Sequence, residues 1–139
     1  MRSTLAIVAG LVIAFGLVAI IETIGHAIYP VQAFDTDDPA QVRTVMASLP
    51  LGALVIVVAA WWIASFTGGA IGAALARHRP LLHAGAIGGL VLAATVANLV
   101  MLPHPAWVAI VGPLGIVVAT GLAAEVVRRR QRLPDPRRA

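Results

Sequence analysis

The sequence predicts an all-α membrane protein: a four-helix transmembrane bundle, N-in and C-in, with a short amphipathic helix in its first outer loop. Three observations predict it. Of the 139 residues, 60% are hydrophobic and 12% charged, and the mean hydropathy is +0.93, whereas a water-soluble domain carries about a quarter charged residues. Four apolar segments reach the length of roughly 20 residues that a helix needs to cross a hydrocarbon core of about 30 Å. Arg2, Arg77, Arg79, Arg128, Arg129, Arg130, Arg132, Arg137 and Arg138 fall on one side of a four-span path, and Arg43 alone on the other. The positive-inside bias then assigns both termini to the cytoplasm. The length suits a single domain over residues 1–127 with a basic cytoplasmic tail over 128–139. With no cysteine in the chain, a disulfide framework, a thiolate metal site and a Cys nucleophile are excluded.

The first span, 4–29, has no charge between Leu5 and Ile21, and Pro30 closes it. Val31-Gln32-Ala33 resembles a signal-peptide cleavage site, but the apolar run is too long for such a signal and Glu22 and His26 interrupt it. The span is therefore expected to be retained. In the outer loop, Asp38, Pro39 and Gln41 read as an N-cap, a proline at the first helical position and a capping-box partner. Val42, Val45, Met46 and Leu49 then recur at i, i+3, i+4 and i+7, the stripe of a short helix lying on the membrane surface. Pro50 admits two readings: it starts the second span, 49–76, or it kinks one long helix from Pro39 to Ala76.

Arg77-His78-Arg79 is a surface turn, and Pro80 opens the third span, 81–102. Pro103-His104-Pro105 forms a tight turn into the fourth, 105–127, where Gly112-Pro113 leaves the Ala109 carbonyl without its helical partner and predicts a kink. Small residues that let helices approach closely form ridges at Ala6/Gly10/Ala14, Gly68/Gly72, Gly69/Ala73 and Gly85/Gly89. Arg128–Arg132 is a juxtamembrane cluster expected to attract anionic lipid. Without interleaved aromatics it is not a nucleic-acid site. Pro134 and Pro136 predict a disordered end.

Ionisable and amide groups within spans are costly and tend to face protein or water. Glu22 lies seven residues before Tyr29, about 10 Å from the outer end of its helix, with His26 one turn further out on the same face. Asn98 lies at similar depth before Pro103, Thr95 one turn deeper, and His104 in the following turn with Trp107 just beyond as an interface aromatic. Glu22, His26, Asn98 and His104 thus form the candidate polar, proton or ligand site. If they share one site, the first span lies against the junction of the third and fourth. Three readings stand: a hydrogen-bonded Glu22–His26 pair joining helices or meeting a partner, a proton relay or substrate site, or a Zn or Cu site with two His and a carboxylate. Trp61 and Trp62 fall near mid-bilayer, need acceptors for their N–H groups, and are candidates for core packing or for lining a pocket. His78 and His83 read as interface or solvent residues. No Ser, Cys or Lys stands beside a base at useful spacing, so no enzyme is expected.

The motifs Glu22-Thr23-Ile24-Gly25-His26 followed by Tyr29-Pro30, Leu49-Pro50-Leu51-Gly52-Ala53, and Pro103-His104-Pro105-Ala106-Trp107 resemble an uncharacterised family of small bacterial four-span membrane proteins. That resemblance covers roughly the whole chain and implies a multi-pass protein of a bacterial inner membrane, without an activity. The small multidrug resistance transporters are similar in size, span count and a Glu in the first helix. This chain departs from them in the outward position of Glu22 and in a charge bias that opposes dual insertion. The functional expectation is a non-enzymatic membrane module that self-assembles or joins a larger membrane complex. The alternative is a proton- or cation-coupled transporter using Glu22 and His26. Cofactor and ligand are left open.

Overall fold

A computed structural model describes residues 2–31, 33 and 35–132. The chain forms α1 (Arg2–Ile28), α2 (Pro39–Ser48), α3 (Leu51–Ala76), α4 (Pro80–Met101) and α5 (Ala106–Arg132). All but α2 are long and apolar enough to cross a membrane. Their outer faces carry Leu5, Val12, Leu81, Val100 and Leu114 exposed, a surface that suits lipid rather than water. The expected disordered end at Pro134 and Pro136 lies outside the described residues. α5 continues as helix past Val127 through the basic segment to Arg132, and Glu125 there pairs with Arg128 at 2.5 Å and Arg129 at 2.7 Å.

The structure settles the role of Pro50. A proline ring disfavours helical backbone in the residue before it, and Leu49 is extended (φ −62°, ψ 129°), as is Pro50 (φ −66°, ψ 149°). α2 and α3 are therefore separate helices. Asp38 caps α2, its Oδ1 accepting from the N–H of Ala40 at 2.9 Å and of Gln41 at 3.4 Å. Gln41 departs from a capping box, in which its side chain would accept from the Asp38 N–H. It donates to Asp38 Oδ2 at 3.0 Å and accepts from the Asp35 N–H at 3.2 Å, tying the helix start to the loop. Of the stripe, Val42 is buried and Val45, Met46 and Leu49 are half-buried, while the rest of α2 is exposed.

α3 is the centre of the bundle, packed against α1, α4 and α5; α4 also packs on α5, and α1 touches α4 but not α5 among the described residues. The expectation that the first span lies against the junction of α4 and α5 is thus corrected: α1 lies on α3. The small-residue ridges explain why. A Cβ on Gly10 would stand 2.7 Å from the Gly68 carbonyl, one on Gly68 would stand 2.6 Å from the Gly10 carbonyl and 2.8 Å from the Ala14 Cβ, and one on Gly72 would stand 3.0 Å from the Ala6 carbonyl. Ala6, Gly10 and Ala14 therefore meet Gly68 and Gly72 backbone to backbone, and Ile87 of α4, fully buried, closes the seam at Gly10 and Gly72. Gly69 and Ala73 face the other way, with Gly69 against Ala84 and Ala123. Gly85 and Gly89 meet nothing among the described residues, so this ridge, unlike the other three, has no partner helix within the chain.

At the arginine end, Arg77 (φ 60°) and Arg79 (φ 44°) take left-handed backbone, and two histidines secure the turn. Carbonyls only accept, so His78 Nδ1 donates to Ala76 O at 2.6 Å and His83 Nδ1 to Arg79 O at 3.1 Å. His78 Nε2 accepts from Ser3 Oγ at 3.3 Å, which brings the start of α1 to the α3–α4 turn. His83 corrects the sequence reading: at 2% exposure it is buried, because α4 turns His83, Ile87, Val91 and Thr95 inward at four-residue spacing.

Candidate functional site

At the opposite end α1, α3 and α4 part, and a half-enclosed cavity of about 240 Å³ opens between them under α2. Glu22, His26, Asn98 and His104 all line it. α1 contributes Glu22, Gly25, His26 and Tyr29 from consecutive turns, with Glu22 half-buried and His26 exposed at the rim. Asn98 comes from the last turns of α4 and His104 from the α4–α5 turn. The wall that depth counting misses is α3, through Ala53, Leu54, Ile56 and Val57, and the roof is α2, through Met46 and Leu49.

A smaller chamber of about 170 Å³ adjoins it at greater depth, open on its α1–α4 side where Phe15 and Ala94 are exposed, and lined by Glu22, Asn98, Thr95 and Trp61 together with apolar residues of α1 and α4. Glu22 and Asn98 belong to both spaces and stand at their junction. The inner chamber stops at Phe15 and Val91, short of the glycine seam.

The polar groups are placed together but not bonded together. No hydrogen bond or ion pair joins Glu22 to His26 among the described residues, so the expected carboxylate–imidazole pair is corrected to a proximity on one helix face. Asn98 Oδ1 is buried and accepts from nothing among the described residues. His104 Nδ1 donates to Leu102 O at 2.9 Å, which fixes the ring and leaves Nε2 as the acceptor of the neutral form. Among the described residues no three of His, Asp or Glu stand close enough to hold a metal ion, so the two-His, one-carboxylate reading lacks its geometry.

The tryptophan pair divides. Trp61 is buried, lines the inner chamber and sets its ring edge-on to His104 with centroids 6.3 Å apart. Trp62 lies on the α5 side, outside both chambers, and donates Nε1–H to Gly112 O at 3.2 Å. Sequence reasoning takes Gly112 only as part of the Gly112-Pro113 kink, and Gly115 follows one turn on. In the structure they are seats for these rings: a Cβ on Gly112 would stand 2.8 Å from Trp61 Cζ3, and one on Gly115 would overlap the Trp62 indole. α5 runs through Pro113 as helix. Tyr29 is a further residue, which sequence reasoning used as a span end and in a motif but not in the site; it lines the cavity with its hydroxyl lying where a Gly52 side chain would be.

No protein-family pattern, curated protein or solved structure matches this chain.

Proposed function

We propose that the protein is a small proton- or cation-coupled transporter in which Glu22 is the exchanging group and His26 guards the rim. The observation that supports this reading is the convergence of Glu22, His26, Asn98 and His104 on one half-enclosed cavity. A carboxyl placed in a span for structure alone is hydrogen-bonded to its neighbours; Glu22 stands beside open space with no direct partner among the described residues. Asn98 Oδ1 lacks a donor, and a proton on Glu22, which shares both chambers with it, supplies one. The two protonation states then differ in hydrogen bonding, which is what couples a proton to a change of shape. Since the seam of Gly10 and Gly68 closes the bundle beyond the inner chamber, passage requires helices to move, as in alternating access, rather than a standing pore.

In this reading the cavity faces outward from a bacterial inner membrane under a loop bearing Asp35, Asp37 and Asp38, and the arginine end faces the cytoplasm. The role is non-enzymatic, with the lipid bilayer as partner and no nucleic acid. Glu22→Gln in proteoliposomes under a pH gradient tests it. Coupled flux is expected to vanish while the melting temperature stays unchanged. A lowered melting temperature with flux retained would return Glu22 to a structural role.

One observation favours a second reading, a module that self-assembles or serves as a subunit of a larger complex. The ridge of Gly85 and Gly89 is open, with exposed Ala93 one turn on, and such ridges let a second helix approach closely. Native mass spectrometry from nanodiscs tests it: a strict monomer without a co-purifying chain sinks it.

A further inference from the structure

We infer that the groove between α3 and α5 at the arginine end is a binding site for one anionic phospholipid, its phosphate held by Arg77 and Arg130 and one acyl chain laid along the groove toward Phe66. The groove is lined by Phe66, Ala70, Ile71 and Ala74 of α3 with Arg77 at its C-cap, and by Val126, Val127, Arg130 and Gln131 of α5. Its two ends differ chemically. One carries two guanidiniums and an amide; the rest is apolar.

Charge pairing sorts the arginines. Glu125 holds Arg128 at 2.5 Å and Arg129 at 2.7 Å, whereas no acid among the described residues pairs with Arg77 or Arg130. Arg79 and Arg132 also have no carboxylate partner among the described residues, but they do not line the groove; Arg77 and Arg130 meet both conditions, and a phosphodiester supplies the missing anion in the geometry guanidinium prefers. Gln131 adds a hydrogen-bond donor beside them.

Length commits the site to a lipid rather than a free phosphate. Phe66 and Arg77 are eleven residues apart, roughly 16 Å along a helix at 1.5 Å per residue. Half of a bilayer's hydrocarbon core is about 15 Å. The groove therefore runs from headgroup level to near mid-bilayer, the reach of one chain of one leaflet. Ala70 and Ala74 keep it open on α3, where larger side chains at the same turns would fill it.

The test is lipid retention by the full chain, measured by native mass spectrometry after titration with phosphatidylglycerol or phosphatidylcholine. One phosphatidylglycerol per chain is expected to survive activation that strips phosphatidylcholine. Arg77→Gln and Arg130→Gln should each weaken retention about fivefold, the effect of one arginine near a membrane surface. Arg128→Gln and Arg129→Gln should leave it unchanged. Ala70→Trp should displace the lipid with all arginines present, and glycerol phosphate, which has no chain, should not bind. Equal losses from all four arginine variants, or retention unaffected by Ala70→Trp, would overturn the site in favour of diffuse attraction by the cluster. Binding of glycerol phosphate as strong as that of the lipid would overturn the acyl-chain assignment.

Discussion

The two halves of the α1–α3 pair are built on opposite plans. Toward the arginine end, glycine and alanine bring the helix backbones into contact, Gly10 on Gly68 and Ala6 on Gly72, and Ile87 is driven into the remaining space. Toward the α2 end, Gly25 meets a side chain, Ile56, and the neighbouring turns carry Glu22, His26 and Tyr29 around open volume. One pair of helices thus supplies both a clamp and a vestibule. In lipid, where apolar helices gain little from hiding apolar surface, close contact is the main attraction available. The clamp is what permits the other half to leave a cavity unfilled and polar atoms unpaired.

The largest way to break this contrast is to fill the clamp. Gly68→Leu forces a side chain into the Gly10 carbonyl and the Ala14 Cβ, where backbone cannot give, and should cost at least the upper end of the about 1–3 kcal/mol typical of overpacking. The same substitution at Gly85, which meets nothing, should leave the melting temperature of the monomer in detergent unchanged. If Gly85→Leu dissociates an oligomer without lowering that temperature, the self-assembly reading gains. If both variants melt alike, the clamp is not where the stability resides.

A smaller effect of opposite sign is expected in the vestibule. Asn98→Leu removes an acceptor that nothing satisfies, an arrangement that costs about 1–3 kcal/mol when buried. Thermal unfolding should therefore show no loss of stability, or a gain of about 1 kcal/mol, while proton-coupled flux falls. Destabilisation would mean that Asn98 holds helices together.

The smallest effect concerns the roof. The N–H of Ala40, then the Gln41 side chain and the Gln41 N–H, hold the Asp38 carboxyl below its ordinary pKa. Because the folded-state pKa lies below that of the unfolded chain, the cap contributes fully above the ordinary carboxylate range and is lost as the pH falls through the depressed value. Hydrogen exchange should show α2 opening at acid pH while the four spans stay protected. Asp38→Asn should keep the cap and remove the pH dependence.

Elements were legible in the sequence because their signals are local. Pro30, Pro80 and Pro103 punctuate the chain wherever the bundle packs, and Asp38-Pro39 starts α2 on its own chemistry. Depth is nearly as local, since it grows linearly with residue number, and so Glu22, His26, Asn98 and His104 could be set at one level. Direction around each helix is a property of the whole assembly. Gly68/Gly72 and Gly85/Gly89 are the same motif, yet one is clamped and the other open. His83 and His78 both flank the α3–α4 turn, yet one is buried and the other exposed. The α3 wall of the cavity, and the seats that Gly112 and Gly115 make for Trp61 and Trp62, escaped sequence reasoning for the same reason.

The left-handed backbone at Arg77 and Arg79 bears on how such a chain is made. A residue with a Cβ pays about 1–2 kcal/mol for that conformation, and glycine at either place would be more comfortable. Glycine would also carry no message to the insertion machinery. In the reading that places the arginine end in the cytoplasm, the α3–α4 turn is the part held back during insertion, and two arginines favour that where a neutral turn would not. On that reading the turn serves biogenesis at the expense of the finished fold, and Arg77→Gly with Arg79→Gly would yield a molecule better at being folded and worse at arriving the right way round.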